Sequence, residues 1–471
     1  MNPRYIPERW TVPLVYGLLA VGAALSFLLI VHFGDSLTPA LAAVEPAVPA
    51  EAPEGASPMV RVLLVLVLVV GLGRLLSKLL AGIHQPPVVG EVLAGVMLGP
   101  SLLGRVWPEA TAFLLPDEVA GHLGVLAQLG VILYMFVVGL ELNGGLIKKH
   151  ARATVAVSQA SMVAPFLLGA ALALWLYPRF GTDGADFLSF ALFVGVAMSI
   201  TAFPVLARIL TDRNMTKTDL GVVALSSAAT GDVVAWCLLA LVVGIAKAQV
   251  SGIFWVIAGT LVYLAVMVLL VRPVVEKMAH RYDRPLTPGM TAMVFVAVLL
   301  SAVMTEWIGI HAIFGAFLLG SIIPHDSRIA TELTYKLQDS TTVLLLPAFF
   351  AFTGMRTRID LVSGMDAWLA CGVIIVVATL GKVGGALGAA RLSGYTWRDS
   401  AALGMLMNTR GLIELVALNI GLDLGVISPT LFAMMVIMAV VTTMTTTPAL
   451  ALLADSSEKC ELSPQPENVR A

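Results

Sequence analysis

The sequence predicts an all-α protein that crosses a membrane many times. Of its 471 residues, 58% are apolar and only 12% are Asp, Glu, Lys or Arg, about half the roughly 25% that is usual in soluble domains. The mean hydropathy is +0.93. Apolar runs of about 20 residues, long enough to cross a bilayer as a helix, recur along the whole chain. These properties exclude a soluble globular enzyme.

Short loops that carry Pro, Gly and charged residues divide the apolar runs into spans. One N-terminal run covers 11–33, and we expect 13 core transmembrane helices after it. The core spans lie near 60–82, 87–104, 120–143, 152–177, 186–210, 218–246, 253–275, 288–307, 310–324, 340–355, 366–390, 400–421 and 428–452. The predicted domains are therefore 1–58 (N-terminal helix and external linker), 59–452 (transmembrane domain) and 453–471 (short cytoplasmic tail).

The first run has two interpretations. Basic residues precede it, and Ala40 and Ala42 follow it, which is typical of a cleaved signal peptide. Its apolar length of about 23 residues exceeds the usual 7–15 of a signal-peptide core, which favours an uncleaved anchor. Residues 34–58 are rich in Ala, Pro and Glu and contain no Lys or Arg, so we expect a flexible external linker.

The positive charges predict the orientation of the chain. Most of the 28 Lys and Arg residues lie on one set of alternate loops, for example Arg74, Lys78 and Lys336. Few lie on the opposite set, which includes Arg105 and Arg179. Short loops rich in these residues stay in the cytoplasm. Both termini are therefore predicted to be cytoplasmic if the first helix is retained.

The sequence indicates neither a cofactor nor nucleic acid as a partner. Its three cysteines, Cys237, Cys371 and Cys460, form neither an even set nor a C-x-x-C motif, which argues against disulfides and against zinc or iron–sulfur sites. We expect them to be packing residues. The net charge of −2, with dispersed basic residues, provides no patch that could follow a phosphate backbone.

Similar segments recur seven spans apart. The segment 95–100 in the second core span is similar to 315–320 in the ninth, and 135–140 in the third is similar to 350–355 in the tenth. An odd offset places the two copies in opposite orientations, as in transporters built from inverted repeats. Gly-rich helices also resemble one another because they pack closely, so neither match is decisive alone. The prediction of two inverted repeats of six spans each rests on the offset of seven spans that both matches share.

Two spans carry polar residues and helix-breaking residues in mid-membrane. The fifth contains Ser199, Thr201 and Pro204, and the twelfth contains the segment 408–414, Asn-Thr-Arg-Gly-Leu-Ile-Glu. Proline in mid-helix frees a carbonyl group, which is tolerated where the backbone lines a cavity within the protein. Two interrupted helices at equivalent places in two halves point to an ion site near the middle of the membrane. The alternative is a packing kink.

Asp232 is the residue that we expect to bind the ion. It lies near the centre of the apolar sixth core span. A carboxylate there costs several kcal/mol unless it is protonated, ion-paired or bound to a cation, and these are the states of a proton/cation exchanger. The alternative is a structural Asp hydrogen-bonded to a broken helix. Four nearby polar residues are expected to support the ion site: Thr201, Thr230, Asn408 and Thr409.

Three more charged residues lie inside apolar spans and are expected to compensate charge. Arg410 and Glu414, at i and i+4, would share a face of a continuous helix, and we expect this pair to be structural because Arg does not lose its proton. Lys382 is able to lose its proton when buried, which leaves its role open. Glu91 and Glu141 lie nearer helix ends, where capping or interface roles are expected.

Several long motifs resemble one known family across nearly all of 60–452. They are Gln85-Pro-Pro-Val-Val-Gly-Glu91, Ser199-Ile-Thr-Ala-Phe-Pro-Val-Leu-Ala-Arg-Ile-Leu210, Gly309-Ile-His-Ala-Ile-Phe-Gly-Ala-Phe317 and Asn408-Thr-Arg-Gly-Leu-Ile-Glu-Leu415. In order and position they are similar to bacterial sodium/proton exchangers of the monovalent cation:proton antiporter-2 type. The resemblance implies a multi-pass protein of a bacterial cell (inner) membrane, with Na⁺ or K⁺, H⁺ and the lipid bilayer as partners.

The resemblance also implies a mechanism and an assembly. A dimerisation domain would stand beside a core domain with two crossing broken helices, in a homodimer that works by alternating access and relies on Asp232. Many relatives have two adjacent acids at this place, whereas here Gly231 precedes Asp232. Lys382 would then lack its usual partner. One acid implies an electroneutral cycle, unless Lys382 carries a second proton. No metal is expected beyond the transported monovalent cation at Asp232.

Two other classes of function remain as alternatives. A channel-like pathway for monovalent cations such as K⁺ would use Asp232 only to attract the cation and would conduct without proton countermovement. A membrane sensor would bind an ion and signal through a partner, although no output domain is visible in the sequence. Asp232→Asn separates the three, because only an antiporter would lose its exchange completely.

Overall fold

The computed structural model describes residues 11–39, 57–83, 85–141, 151–183, 185–213, 215, 218–247, 250–281 and 286–453. Within these ranges, every regular element is a helix. Most of the predicted linker 34–58, nearly all of the predicted tail 453–471, and Cys460 lie outside the described residues.

The first half of the chain forms eleven α-helices among the described residues. They are α1 (Thr11–Gly34), α2 (Pro58–Ala81), α3 (Pro87–Leu98), α4 (Leu103–Val106), α5 (Pro108–Leu114), α6 (Asp117–Glu141), α7 (Ala151–Phe180), α8 (Phe187–Ser199), α9 (Phe203–Asp212), α10 (Asp219–Lys247) and α11 (Val250–Val266). Proline occupies the first turn of α2 and α3, where its missing N–H costs no helical hydrogen bond.

The second half continues with nine described α-helices. They are α12 (Arg272–Arg281), α13 (Pro288–Ile308), α14 (Ala312–Ile322), α15 (Arg328–Ser340), α16 (Leu346–Arg356), α17 (Gly364–Leu392), α18 (Trp397–Met407), α19 (Leu412–Asp423) and α20 (Pro429–Leu453). One π-helical turn, Met267–Val271, joins α11 to α12, and another, Thr341–Leu345, joins α15 to α16. The Thr287 and Thr396 side chains cap α13 and α18 by accepting backbone N–H groups.

The lengths of these helices fit a membrane protein. Within the described ranges, nine helices are long and apolar enough to cross a bilayer. The predicted span 340–355 continues a helical run that begins at Arg328, and the first part of this run, α15, is amphipathic. The predicted spans 186–210 and 400–421 each consist of two helices, as expected for interrupted spans.

Most of the helices pack in two groups, which we call the scaffold group and the crossing group. The scaffold group contains α2, α3, α6, α13, α14, α15 and α16, with α3 and α6 both packed on α16. The crossing group contains α7, α8, α9, α10, α17, α18, α19 and α20, with α7 packed along α17. The interrupted helices α8/α9 and α18/α19 both belong to the crossing group.

Two smaller features complete the fold. Helix α1 packs on α7 and α8 of the crossing group, where the rings of Phe27 and Phe166 lie 5.4 Å apart. Cys371 is buried in α17, as expected for a packing residue, but the same prediction was wrong for Cys237, which is exposed on α10. The apolar lipid phase accommodates a thiol on an outer helical face as readily as a core does.

Candidate functional site: the crossing of two interrupted helices

Two helical interruptions meet in the centre of the crossing group. Helix α8 ends at Ser199 and α9 begins at Phe203, with extended backbone between them. The backbone N–H of Ala202 donates to the carbonyl of Thr409 at 2.9 Å, and Oγ1 of Thr201 donates to the carbonyl of Met407 at 3.3 Å. The interruptions predicted at both places are confirmed, and the two breaks cross in contact with each other.

Two buried cations neutralise the carbonyl end of α8. Lys382, in the middle of α17, donates from Nζ to the carbonyl of Ser199 and, at 2.5 Å, to Oγ1 of Thr201. Arg410 donates to the carbonyls of Ala197 at 3.1 Å and Met198 at 2.7 Å. The C-terminus of a helix carries partial negative charge. Lys382 and Arg410 therefore stabilise this end of α8 by donating to three successive carbonyl groups.

Arg410 also forms a buried ion pair with Glu414. Its Nη1 atom lies 3.0 Å from Oε1 of Glu414, and both side chains are fully buried. Glu414 stands in the first turn of α19, where a negative group also faces the partial positive charge of a helix N-terminus. The pair therefore stabilises the ends of α8 and α19 at the same time.

Asp232 is buried against the start of α9. Its side chain is 1% exposed, and its carboxylate interacts with the backbone amide of Phe203, the first residue of α9, and with the charge of Lys382. Its Oδ1 atom has no hydrogen-bond partner among the described residues. A buried carboxylate oxygen without a donor is suited to bind a proton or a cation.

The four polar residues predicted to support the site lie in different environments. Thr201 contacts both Lys382 and the second broken helix, whereas Oγ1 of Thr230 donates to Ser226 in its own helix and Oγ1 of Thr409 donates to Leu406. The amide of Asn408 is fully buried, and neither of its polar atoms has a partner among the described residues. Thr201 and Asn408 therefore have the greatest capacity to act at the crossing.

A cavity of about 280 Å³ leads from the crossing to one face of the protein. Ala202, Val205 and Ile413 form its buried part. Its outer lining includes the exposed Arg74 and Gln338, which lie on the face predicted to be cytoplasmic. Glu91 also lines this cavity. The N-cap of α3 is Pro86 and has no side-chain capping bond, so Glu91 does not cap this helix, and its alternative role at an interface stays a prediction.

The sequence matches a known family over most of its length. Residues 63–453 match the family described as the transmembrane region of the sodium/hydrogen exchangers. The chain therefore belongs to the sodium/hydrogen exchanger family. The resemblance seen in its motifs is confirmed, and so is its character as a multi-pass membrane protein.

Several relatives of this exchanger carry descriptive names. The Na(+)/H(+) antiporter NhaS4 of Synechocystis is 42% identical over 387 residues, which cover 81% of this chain and 94% of that protein. Cation/H(+) antiporter 19 of Arabidopsis thaliana is 36% identical over 84% of this chain and 50% of its own length. K(+)/H(+) antiporter 1 of Saccharomyces cerevisiae is 34% identical over 79% and 44% respectively. The exchanger thus spans about half the length of the plant and yeast relatives.

A solved structure supports the fold of the exchanger. The sodium proton antiporter MjNhaP1 of Methanocaldococcus jannaschii superposes with a TM-score of 0.60 over 84% of this chain and 99% of that chain. The sequence identity is 13%, so this likeness concerns the fold alone.

Two residues at the crossing were missed by the sequence analysis. Thr443 in α20 accepts the backbone N–H of Arg410 at 3.0 Å and donates to the carbonyl of the same residue at 2.8 Å. Ser158 in α7 lies beside Gly231 and is fully buried without a partner among the described residues. The run Thr442-Thr-Met-Thr-Thr-Thr447, unusually polar for a transmembrane helix, was the signal that could have revealed Thr443.

Proposed function

We propose that this protein is a secondary antiporter that exchanges protons for a monovalent cation, Na⁺ or K⁺, by alternating access. The observation that carries the proposal is the buried Asp232 carboxylate at the crossing, with one oxygen free of hydrogen bonds. Such a group is neutralised either by a proton or by a cation, so that the two compete for one site. The names of the relatives, which are Na⁺/H⁺, cation/H⁺ and K⁺/H⁺ antiporters, support the same exchange.

The charges of the site favour an electroneutral cycle. With Asp232 and Glu414 ionised, their two negative charges balance Lys382 and Arg410. Adding a cation to the ionised site, or a proton to Asp232, produces the same net charge of plus one. If Lys382 keeps its proton throughout, as its two acceptors Ser199 and Thr201 favour, the charge that moves is equal in both half-cycles. One proton then exchanges for one cation.

Close backbone contacts support two inverted repeats within a set of 13 core helices. A Cβ atom at Gly354 in α16 would collide with the backbone of Gly95 in α3, and one at Gly320 in α14 would collide with the backbone of Phe136 in α6. The second and third core spans thus approach the tenth and ninth. Exchanging the two repeats converts one of these contacts into the other, as inverted repeats require.

The two helical groups have different roles in this proposal. The crossing group carries the ion site and moves, while the scaffold group stays fixed and contributes to a homodimer. Exposed apolar side chains on α11 and α13, among them Trp255, Leu261 and Trp307, provide a surface for lipid or for the second subunit. The protein would lie in the inner membrane of a bacterium with both termini in the cytoplasm, if the first helix is retained.

Proteoliposomes with an imposed pH gradient test the exchange. Addition of Na⁺, K⁺ or Li⁺ should drive proton flux in the wild type, with equal initial rates at several clamped membrane potentials. Asp232→Asn should abolish this flux, whereas Asp219→Asn, at the exposed start of the same helix, should retain it. Cation flux without proton movement would replace the antiporter by a channel, and a clear voltage dependence would contradict the one-to-one stoichiometry.

A further inference from the structure

We propose that Arg356 is a latch that keeps the ion pathway closed on the face opposite the cavity, by tying the scaffold group to the crossing group. The inference rests on the alternating movement in the proposed function and identifies a residue that controls it. The tie joins Arg356, at the end of α16, to Asp423 and Asn419 in α19.

The latch consists of three polar contacts between two helices. Nη2 of Arg356 lies 2.5 Å from Oδ1 of Asp423, and its Nη1 donates to Oδ1 of Asn419 at 3.3 Å. One turn earlier in α16, Oγ1 of Thr353 accepts Nδ2 of Asn419 at 3.0 Å. Because α16 packs on α3 and α6, and α19 packs on α8 and α20, all three contacts cross from one helical group to the other.

The same two helices are apart at their other ends. Leu346 and Phe350 of α16 and Ile413 of α19 line the cavity of about 280 Å³. Ten residues beyond Ile413, or about 15 Å along a helix, Asp423 is held by Arg356. The space between the groups at this end is about 30 Å³, lined by Ala127 and Asn419 among others. Helices α16 and α19 therefore diverge at the cavity and are tied at the opposite face.

The chemistry of the latch suits a contact that breaks in every cycle. The side chains of Arg356 and Asp423 are 24% and 52% exposed, and ion pairs with such access to water contribute little and separate readily. The guanidinium lies 5.2 Å from the ring of Phe352, on the same helix. This cation–π contact holds the guanidinium group against α16, so the group stays with the scaffold group when Asp423 moves away.

Among the described residues, a further polar contact joins the two groups near the cavity. Nε2 of Gln85, before α3, donates to the carbonyl of Met444 in α20 at 3.0 Å. It is a single neutral hydrogen bond, whereas the latch combines an ion pair with two hydrogen bonds. Loss of the latch should therefore favour the conformation in which the 30 Å³ space is open over the conformation in which the latch closes it.

A thiol in the small space reports this opening. In a variant with Cys237, Cys371 and Cys460 replaced by Ala, the substitution Ala127→Cys introduces a thiol at a position that is 1% exposed. A membrane-impermeant maleimide is then added to the face opposite the cavity. Arg356→Gln and Asp423→Asn should each accelerate labelling about fivefold, the size of effect expected from a partly exposed ion pair and a hydrogen bond.

A neighbouring ion pair provides the matched control. Arg358 and Asp360 lie on the same face, with a guanidinium nitrogen 2.6 Å from a carboxylate oxygen, but both stand in the short segment after α16, so their pair does not join α16 to α19 and Arg358→Gln should leave labelling unchanged. The charge exchange Arg356→Asp with Asp423→Arg should restore the slow labelling of the parent protein. Equal labelling in Arg356→Gln, Arg358→Gln and the parent would overturn the latch. Labelling reports the movement and proton flux reports the exchange, so failure of the latch is distinguishable from failure of the proposed antiport.

Discussion

The Oγ atom of Ser158 lies 3.7 Å from the position that a Cβ atom would occupy at Gly231. The nearest atom to that position, Sδ of Met162, lies at 3.6 Å, and both are ordinary van der Waals distances. The residue before Asp232 therefore faces a hydroxyl group at a distance that allows a Cβ atom. Packing therefore does not exclude a Cβ atom at position 231, where Gly231 stands in place of the second acid that the family resemblance leads us to expect.

Gly231→Asp should therefore fold and change the stoichiometry. A second carboxylate beside Asp232 supplies a second group that takes up a proton when the cation leaves. We expect two protons for each cation and exchange rates that rise or fall with the membrane potential. Gly231→Asn has nearly the same size without the charge and should remain voltage-independent. The measurement is the initial proton flux at clamped potentials, and an Asp variant as insensitive to voltage as the Asn variant would show that the second acid does not titrate.

Thr201→Val should weaken both stability and cation binding. The substitution removes an acceptor of the Lys382 ammonium and the donor to the carbonyl of Met407. Leaving such buried groups unsatisfied costs about 1–3 kcal/mol each. We expect a lower midpoint of thermal unfolding in detergent and a higher KM for the cation. Thr230→Val is the matched control, because its hydroxyl only donates to Ser226 within one helix. Equal losses in the two variants would argue against a special role for Thr201.

The sequence predicted the interruptions well but missed the contacts that join them. A helix that crosses a bilayer needs a long apolar run. Pro204 and the polar segment 408–414 interrupt such runs, which is why the sequence predicted a break at each place. Threonine in a membrane helix commonly bonds to the backbone of its own helix, so the sequence alone did not distinguish Thr443, which contacts Arg410, from the neighbouring threonines. The amphipathic α15 carries no long apolar run, so its continuity with α16 was not recognised. Which charges meet across the crossing depends on tertiary packing and was not readable from spacing alone.

The Arg410 and Glu414 pair should show strong energetic coupling. Arg410→Gln leaves Glu414 buried without its partner at 3.0 Å, and breaking such a pair costs about 3–5 kcal/mol. The double variant Arg410→Gln with Glu414→Gln should cost less than the two single variants added together. Arg272 and Glu276 have the same i, i+4 spacing, 2.7 Å apart, on an exposed surface, where coupling of about 0.3–0.5 kcal/mol is usual. Unfolding in detergent measures both cycles, and similar coupling in the two pairs would contradict the prediction.

Glu332 should make the stability of the protein depend on pH outside the membrane. Its carboxylate accepts the backbone N–H of Leu286 at 2.8 Å and Nε of Arg328 at 2.9 Å, and these contacts, the Leu286 bond first, lower the pKa of Glu332 below its ordinary value of 4.5. A carboxyl with a lowered folded pKa contributes stability above its unfolded pKa and loses that contribution as the pH falls through the folded value. Glu332→Gln should thus lower the unfolding midpoint at pH 7, and the difference from wild type should shrink as the pH falls below 4.5.

The control, Glu276→Gln, removes the surface pair with Arg272 and should have little effect at either pH. A Glu332→Gln deficit that stays constant from pH 7 to the acid limit would show that the side chain acts through packing instead of charge.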